Sequence, residues 1–198
     1  VKIRAALNFR ELGLGIPLLV GRQEKIEDTL KKIGLRPDTD IEIVNSKDTD
    51  KSEEYADFLY KRLQRKGYLR RDCLRMVNND RNIFSSCMTS LGHADAMITG
   101  TTRNYSLALE DITQVIDPIN DKRIVGISAM VSGPRTVLVA DTNVHDMPSA
   151  EEIADIAEAG AELARRLGFV PRVALLAYSS FGYPEGERST FMREAVNI

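Results

Sequence analysis

The side chains best suited to chemistry gather in two short stretches, Gly100-Thr-Thr-Arg-Asn104 and Ser179-Ser-Phe-Gly182. Each follows an apolar run and precedes a helix-like pattern, so each reads as a turn from strand to helix. Thr101, Thr102, Ser179 and Ser180 offer hydroxyls, and Asn104 offers an amide. Gly100 and Gly182 leave the backbone open to close approach. Arg103 in the first turn and Arg188 just past the second add cations. A helix N-terminus has unpaired backbone N–H groups and the positive end of the helix dipole. Two such turns on neighbouring strands would line a crevice for a phosphate- or carboxylate-bearing ligand. The competing use of the same Ser and Thr residues is to cap the helices that follow.

Other chemistries find less support. A nucleophilic Ser at a strand end needs Gly on both sides, with a His and an acid in reach. Ala177-Tyr178 precedes Ser179, and His93 and His145 stand alone. His145 adjoins Asp146, a pattern that suits a local hydrogen bond better than acid–base work. Asp95, Asp141 and Asp146 share no cation-ligand spacing, and Cys73 and Cys87 read as free thiols, so no metal site is expected. The charge run Lys61-Arg-Leu-Gln-Arg-Lys66 reads first as a solvated helix face and second as a site for the phosphates of a large ligand.

These turns need strands and helices to position them. Ile16–Val20, Ile41–Val44, Ala96–Thr99 and Val173–Ala177 are short apolar runs of the kind that form buried strands. Helices are expected up to Gly13, over Gln23–Ile33, from Ser52 as cap to Lys66, and in two segments across 70–92 that break near Asn78-Asn79-Asp80. After Gly100, Tyr105, Leu109, Ile112 and Ile116 recur at helical spacing. Ile124–Val131 and Thr136–Ala140 flank Ser132-Gly-Pro134 as an antiparallel hairpin. Ser149-Ala-Glu-Glu152 is a capping box at the head of a helix that reaches Leu167. A last helix follows Arg188 and Ser189. Strands alternate with helices, so the expected class is α/β with a largely parallel sheet in three α/β/α layers.

The 198 residues are 43% hydrophobic and 28% charged, ample for a core without disulfide staples. A net charge of -2 gives no support for nucleic acid or an anionic membrane as partner. No apolar run nears the roughly 20 residues of a membrane span, and no signal peptide is visible, so a cytoplasmic location is expected. The chain opens at Val1 inside a helical pattern, which suggests a piece of a longer protein.

Four ordered motifs then carry a family resemblance. Ala94-Asp-Ala-Met97 with Gly100, Val137-Leu-Val-Ala-Asp141, Met147-Pro-Ser-Ala-Glu-Glu-Ile-Ala154 and Pro171-Arg-Val-Ala-Leu-Leu-Ala-Tyr-Ser179 resemble the phosphate acetyl- and butyryltransferase family. More narrowly, Thr102-Arg-Asn-Tyr105, Val144-His-Asp-Met-Pro148 and the run from Tyr178 to Ser189 look like the C-terminal domain of bacterial hybrid malic enzymes. The resemblance implies a phosphotransacetylase-like fold of two lobes, incomplete at both ends, with lobe 1 over 1–145, lobe 2 from 146, and a coenzyme A cleft between them. It also implies two arginines for the acyl phosphate, and those positions match Leu63 and Glu110 here. The catalytic segment of the family would lie beyond Ile198. Transfer chemistry is therefore expected to be lost, so no residue is assigned a catalytic role.

The resulting expectation is a domain that senses acetyl-CoA through Thr101, Thr102, Arg103, Asn104, Ser179, Ser180, Gly182 and Arg188, and that promotes homo-oligomers. It would need no cofactor of its own. NADP or NAD and a divalent metal would serve a malic enzyme domain of the same chain. The rival expectations are an active phosphate acetyltransferase and a purely structural assembly domain.

Overall fold

The computed structural model describes residues 2–34, 41–47, 50–100, 103–119, 122–178, 183 and 186–198. The class is the expected α/β. Two compact units form, Val1–Asp117 and Pro118–Ile198.

In the first unit, α1 (Lys2–Glu11) precedes β1 (Leu18–Val20), α2 (Gln23–Lys32) and β2 (Glu42–Val44). The two strands pair in parallel, with Leu18 opposite Glu42 and Val20 opposite Val44. Next come α3 (Lys51–Leu63), which tightens into a 3-10 turn over Gln64–Lys66, then α4 (Arg70–Asn79), α5 (Arg81–Ser90) and α6 (Tyr105–Thr113). Gly67 ends the tight turn at φ +88, a left-handed conformation that favours a residue without a Cβ. Helices α3, α4 and α5 pack on one another, and α6 packs on α5.

The core of this unit joins Tyr55, Leu59 and Leu63 of α3, Cys73 and Val77 of α4, Ile83, Phe84, Cys87 and Met88 of α5, and Val115. Tyr55 meets the Phe84 ring edge-on at 5.0 Å between centroids. Its hydroxyl lies 2.9 Å from His93 Nδ1. Burial, then the nearby Glu54 and Cys87, push the Tyr55 hydroxyl up to about 12. Both cysteines are free and buried in this cluster, as the sequence suggests.

The second unit holds the hairpin of β3 (Ile127–Ser132) and β4 (Arg135–Ala140), then α7 (Ala150–Arg166) and α8 (Glu187–Ala195). The strands are antiparallel, and Ser132 pairs with Arg135 across the turn. The sequence places a boundary at 145/146, whereas the compact units divide at 117/118, because β4 packs against α7. The expected capping box heads α7: Ser149 Oγ accepts from Glu152 N at 3.3 Å and Glu152 accepts from Ser149 N at 2.9 Å. Arg123 binds Glu152 and Asp155 at 2.8 and 2.7 Å, which ties the segment before β3 to the same helix.

Two expected central strands are corrected. Ala96–Thr99 and Val173–Ala177 join no ladder, and Ile98 and Leu176 are 96% and 81% exposed. An apolar run fits a segment for burial on both sides, but only a neighbouring strand in register makes it a strand. Ile16 is likewise exposed, and its strand begins at Leu18. Ser52 is not the cap of α3. Asp50 takes that position, and the buried Ser52 hydroxyl donates to the Ser46 carbonyl at 3.0 Å.

Candidate functional site

Thr101, Thr102, Ser179, Ser180 and Gly182 lie outside the described residues. The other three expected ligands are placed. Asn104 is the N-cap of α6, and its Oδ1 accepts from the Ser106 N–H and hydroxyl, both at 3.1 Å. It thus serves as a cap, a use expected of the Ser and Thr residues of the turn and not of this Asn.

Arg103 sits between two carboxylates. Its Nη1 donates to Asp80 Oδ2 at 2.5 Å and to Asp111 Oδ2 at 3.0 Å. The hydrogen bond to Asp80 is the main cause that holds the guanidinium above its ordinary pKa. Asp80 also caps α5, where its Oδ1 accepts from Asn82 N at 2.7 Å and Ile83 N at 3.3 Å. Asn82 in turn donates to Asp111 at 3.0 Å and accepts from the Thr99 hydroxyl at 2.7 Å. Thr99, Asn82, Asp111, Arg103 and Asp80 thus form one connected network. It fastens both flanks of the Gly100 turn to α5 and α6. The sequence marks Asp80 only as part of a helix break, with no hint that it reaches Arg103.

Arg188 belongs to the second unit, in the first turn of α8, with its Nε 3.0 Å from Met147 Sδ. Arg103 and Asn104 belong to the first.

Leu63 and Glu110, where the resemblance implies arginines, both lie in helices of the first unit. Leu63 is 1% exposed within the core cluster, so its side chain faces packed helices. Its neighbour Arg62 is engaged at the end of α6, donating to Asp117 at 2.7 Å and to the Gln114 carbonyl at 3.4 Å. Glu110 is exposed on α6.

A second polar cluster lies below the hairpin. Asp141 Oδ1 accepts from Gly126 N at 2.8 Å, and Oδ2 accepts from His145 N and contacts His145 Nδ1, both at 2.7 Å. Burial works to raise the Asp141 pKa, but the His145 ring and the two backbone N–H groups outweigh it, and the net shift is downward. A Cβ at Gly126 would collide with the Thr142 carbonyl, so the loop closes only over glycine. His145 does make a local hydrogen bond, but to Asp141 instead of the adjacent Asp146. Among the described residues, no group of three or more His, Cys, Asp or Glu is arranged to hold a metal ion. No described helix is long and apolar enough to cross a membrane.

The family described as Phosphate acetyl/butaryl transferase matches residues 2–198, and the chain belongs to it. Over 99% of its length the chain is 54% identical to the NADP-dependent malic enzyme of Rhizobium meliloti (strain 1021), of which it covers 26%. It is 47% identical to the probable NADP-dependent malic enzyme of Rickettsia prowazekii (strain Madrid E), again covering 99% of this chain and 26% of that one. The chain therefore spans about a quarter of the length of these curated relatives. Among solved structures, a phosphotransacetylase from Streptococcus pyogenes superposes with a TM-score of 0.86 at 26% identity, over 99% of this chain and 60% of that one. The fold is phosphotransacetylase-like.

Proposed function

We propose that this chain is the phosphotransacetylase-like domain of a malic enzyme, and that it binds acetyl-CoA as an effector without transferring the acetyl group. Acyl-phosphate chemistry needs cations fixed where charge develops on the transferring group. The observation that carries the reading is Leu63, an apolar side chain 1% exposed where the resemblance implies an arginine. Glu110, exposed on α6, would repel an acyl phosphate at the second such position. Arg62 supplies no substitute, because Asp117 and the Gln114 carbonyl hold its guanidinium.

Acetyl-CoA would be received by the Gly100–Asn104 and Ser179–Gly182 turns, with an anion at Arg103 competing against Asp80 and Asp111. A ligand regulates by binding two states of a protein unequally, with a usual coupling of about 1–3 kcal/mol. An oligomer interface would be the two-state element. Oxidative decarboxylation of malate to pyruvate, with NADP or NAD and a divalent metal, would belong to another domain of the full-length protein.

The test is a titration of malate oxidation by acetyl-CoA in the full-length protein, with acetyl phosphate formation assayed in parallel. The expected result is a saturable change in malate oxidation that weakens in Ser179→Ala and Arg188→Ala, with no acetyl phosphate formed. Turnover to acetyl phosphate at about 1 per second or faster, in the common enzyme range, would make the domain a working transferase. No response of malate oxidation would leave it an assembly domain.

A further inference from the structure

We infer that the hollow between the β2–α3 loop and α4 binds a phosphate-bearing anion through Lys47, Arg71 and Arg75. None of these residues is among those proposed above for acetyl-CoA.

Helix α4 has two faces. Cys73 and Val77 are buried in the core, while Arg71, Leu74, Arg75, Asn78 and Asn79 line the hollow on the other side. Arg71 and Arg75 are four apart, so their side chains are neighbours on the helix surface. Lys47 lines the hollow from the loop that follows β2. Ser46, the residue before Lys47, is pinned before any ligand arrives. The buried Ser46 hydroxyl donates to the Asn78 carbonyl at 3.1 Å, and the Ser46 carbonyl accepts from the buried Ser52 hydroxyl at 3.0 Å. The hollow measures about 370 Å³. Small-molecule sites begin at about 300 Å³, so it suits a phosphate or diphosphate group.

The charge of its described lining residues, three cations and no carboxylate, is what recommends this hollow. Arg62, Arg70, Arg103 and Arg123 are each held by carboxylates. Lys47 and Arg71 have no carboxylate partner among the described residues, and Arg75 has only Asp72, at 2.8 Å. A second hollow, of about 420 Å³, contrasts with it, since Glu24 and Glu27 offset its Arg22. Three cations gathered with no carboxylate among the described lining residues repel one another, and a bound anion would relieve that repulsion. A Lys point charge with two Arg forks is the donor set that a phosphate uses.

The experiment is a calorimetric titration of the full-length protein with inorganic pyrophosphate at low ionic strength. Saturable one-site binding is expected. Lys47→Ala and Arg71→Ala should each weaken it by about tenfold or more, the cost of one hydrogen bond to a charged group. Arg4→Ala, an exposed cation on α1, should leave the affinity unchanged. Unaltered melting temperatures would show that the variants fold. Displacement by coenzyme A would identify the phosphates as part of that ligand, and failure to displace would identify a separate small phosphate ester; either outcome supports the site. No saturable binding, or an equal loss in all three variants, would overturn it.

Discussion

The two units place their apolar residues in opposite ways. In Val1–Asp117, three successive helices close on one another, and Tyr55, Leu59, Phe84 and Cys87 are 0% exposed. In Pro118–Ile198, the buried apolar residues among those described are Ile153, Ile156, Ala161, Ala164 and Ala195, and three of these are alanines. Met130, Val131, Val137 and Val139 stay exposed on the hairpin, as do Val173 and Leu176 further on. Both units leave some apolar side chains exposed, but the first buries the larger ones. Packing among helices is available locally, whereas a strand needs a partner that the chain must bring from elsewhere.

The sharpest way to break this comparison is to cut into the first core. Phe84→Ala should destabilise the protein by about 3–5 kcal/mol, the usual cost of removing a buried aromatic side chain, as read from urea unfolding. A loss no larger than that of a surface change would mean that the helical cluster is not the core.

The polar anchor of the second unit tests whether hydrogen bonds do there what apolar packing does in the first. Asp141→Asn should cost about 1–3 kcal/mol at neutral pH, because it weakens hydrogen bonds made to a charged acceptor. The folded Asp141 pKa lies below its unfolded value. Its contribution is therefore complete above about pH 4 and fades as pH falls through the folded pKa. Melting temperatures of both proteins from neutral pH into acid should converge at the acid end. A gap that persists there would exclude carboxylate charge as the cause.

The smallest effect sharpens the contrast. Leu176→Ala should change stability by less than about 0.5 kcal/mol, since an exposed side chain leaves no cavity. A loss like that of a core leucine, in the same urea series, would show that this segment is packed in solution.

What can be read from the sequence follows the range of the interactions. The α7 capping box spans four residues and stands where the pattern puts it. The break between α4 and α5 is visible as Asn78-Asn79-Asp80, because Asp80 caps the helix that follows it. The hairpin is legible too, from two β-rich runs across Gly133. Ala96–Thr99 and Val173–Ala177 mislead because pairing depends on a distant partner, which apolar composition does not report. In the candidate site, capping is legible as an alternative for the Ser and Thr residues, and the structure gives that role to Asn104. The hold of Asp80 on Arg103 is not, since it joins residues 23 apart in sequence. Leu63, where the resemblance implies an arginine, lies in the helix packing of the first unit.

The main cluster of the first unit also bears on the order of folding. Apart from Val115, its buried members all fall between Tyr55 and Met88. Each contact among them closes a short loop, and the entropy of closure grows with loop length. Helices that dock on their immediate neighbours belong to the fast-folding, low-contact-order class. On a ribosome the N-terminal part of a chain emerges first, so this cluster can complete itself before β3 and β4 exist. The exposed valines of the hairpin then emerge after the larger apolar side chains of the first unit have already been put away.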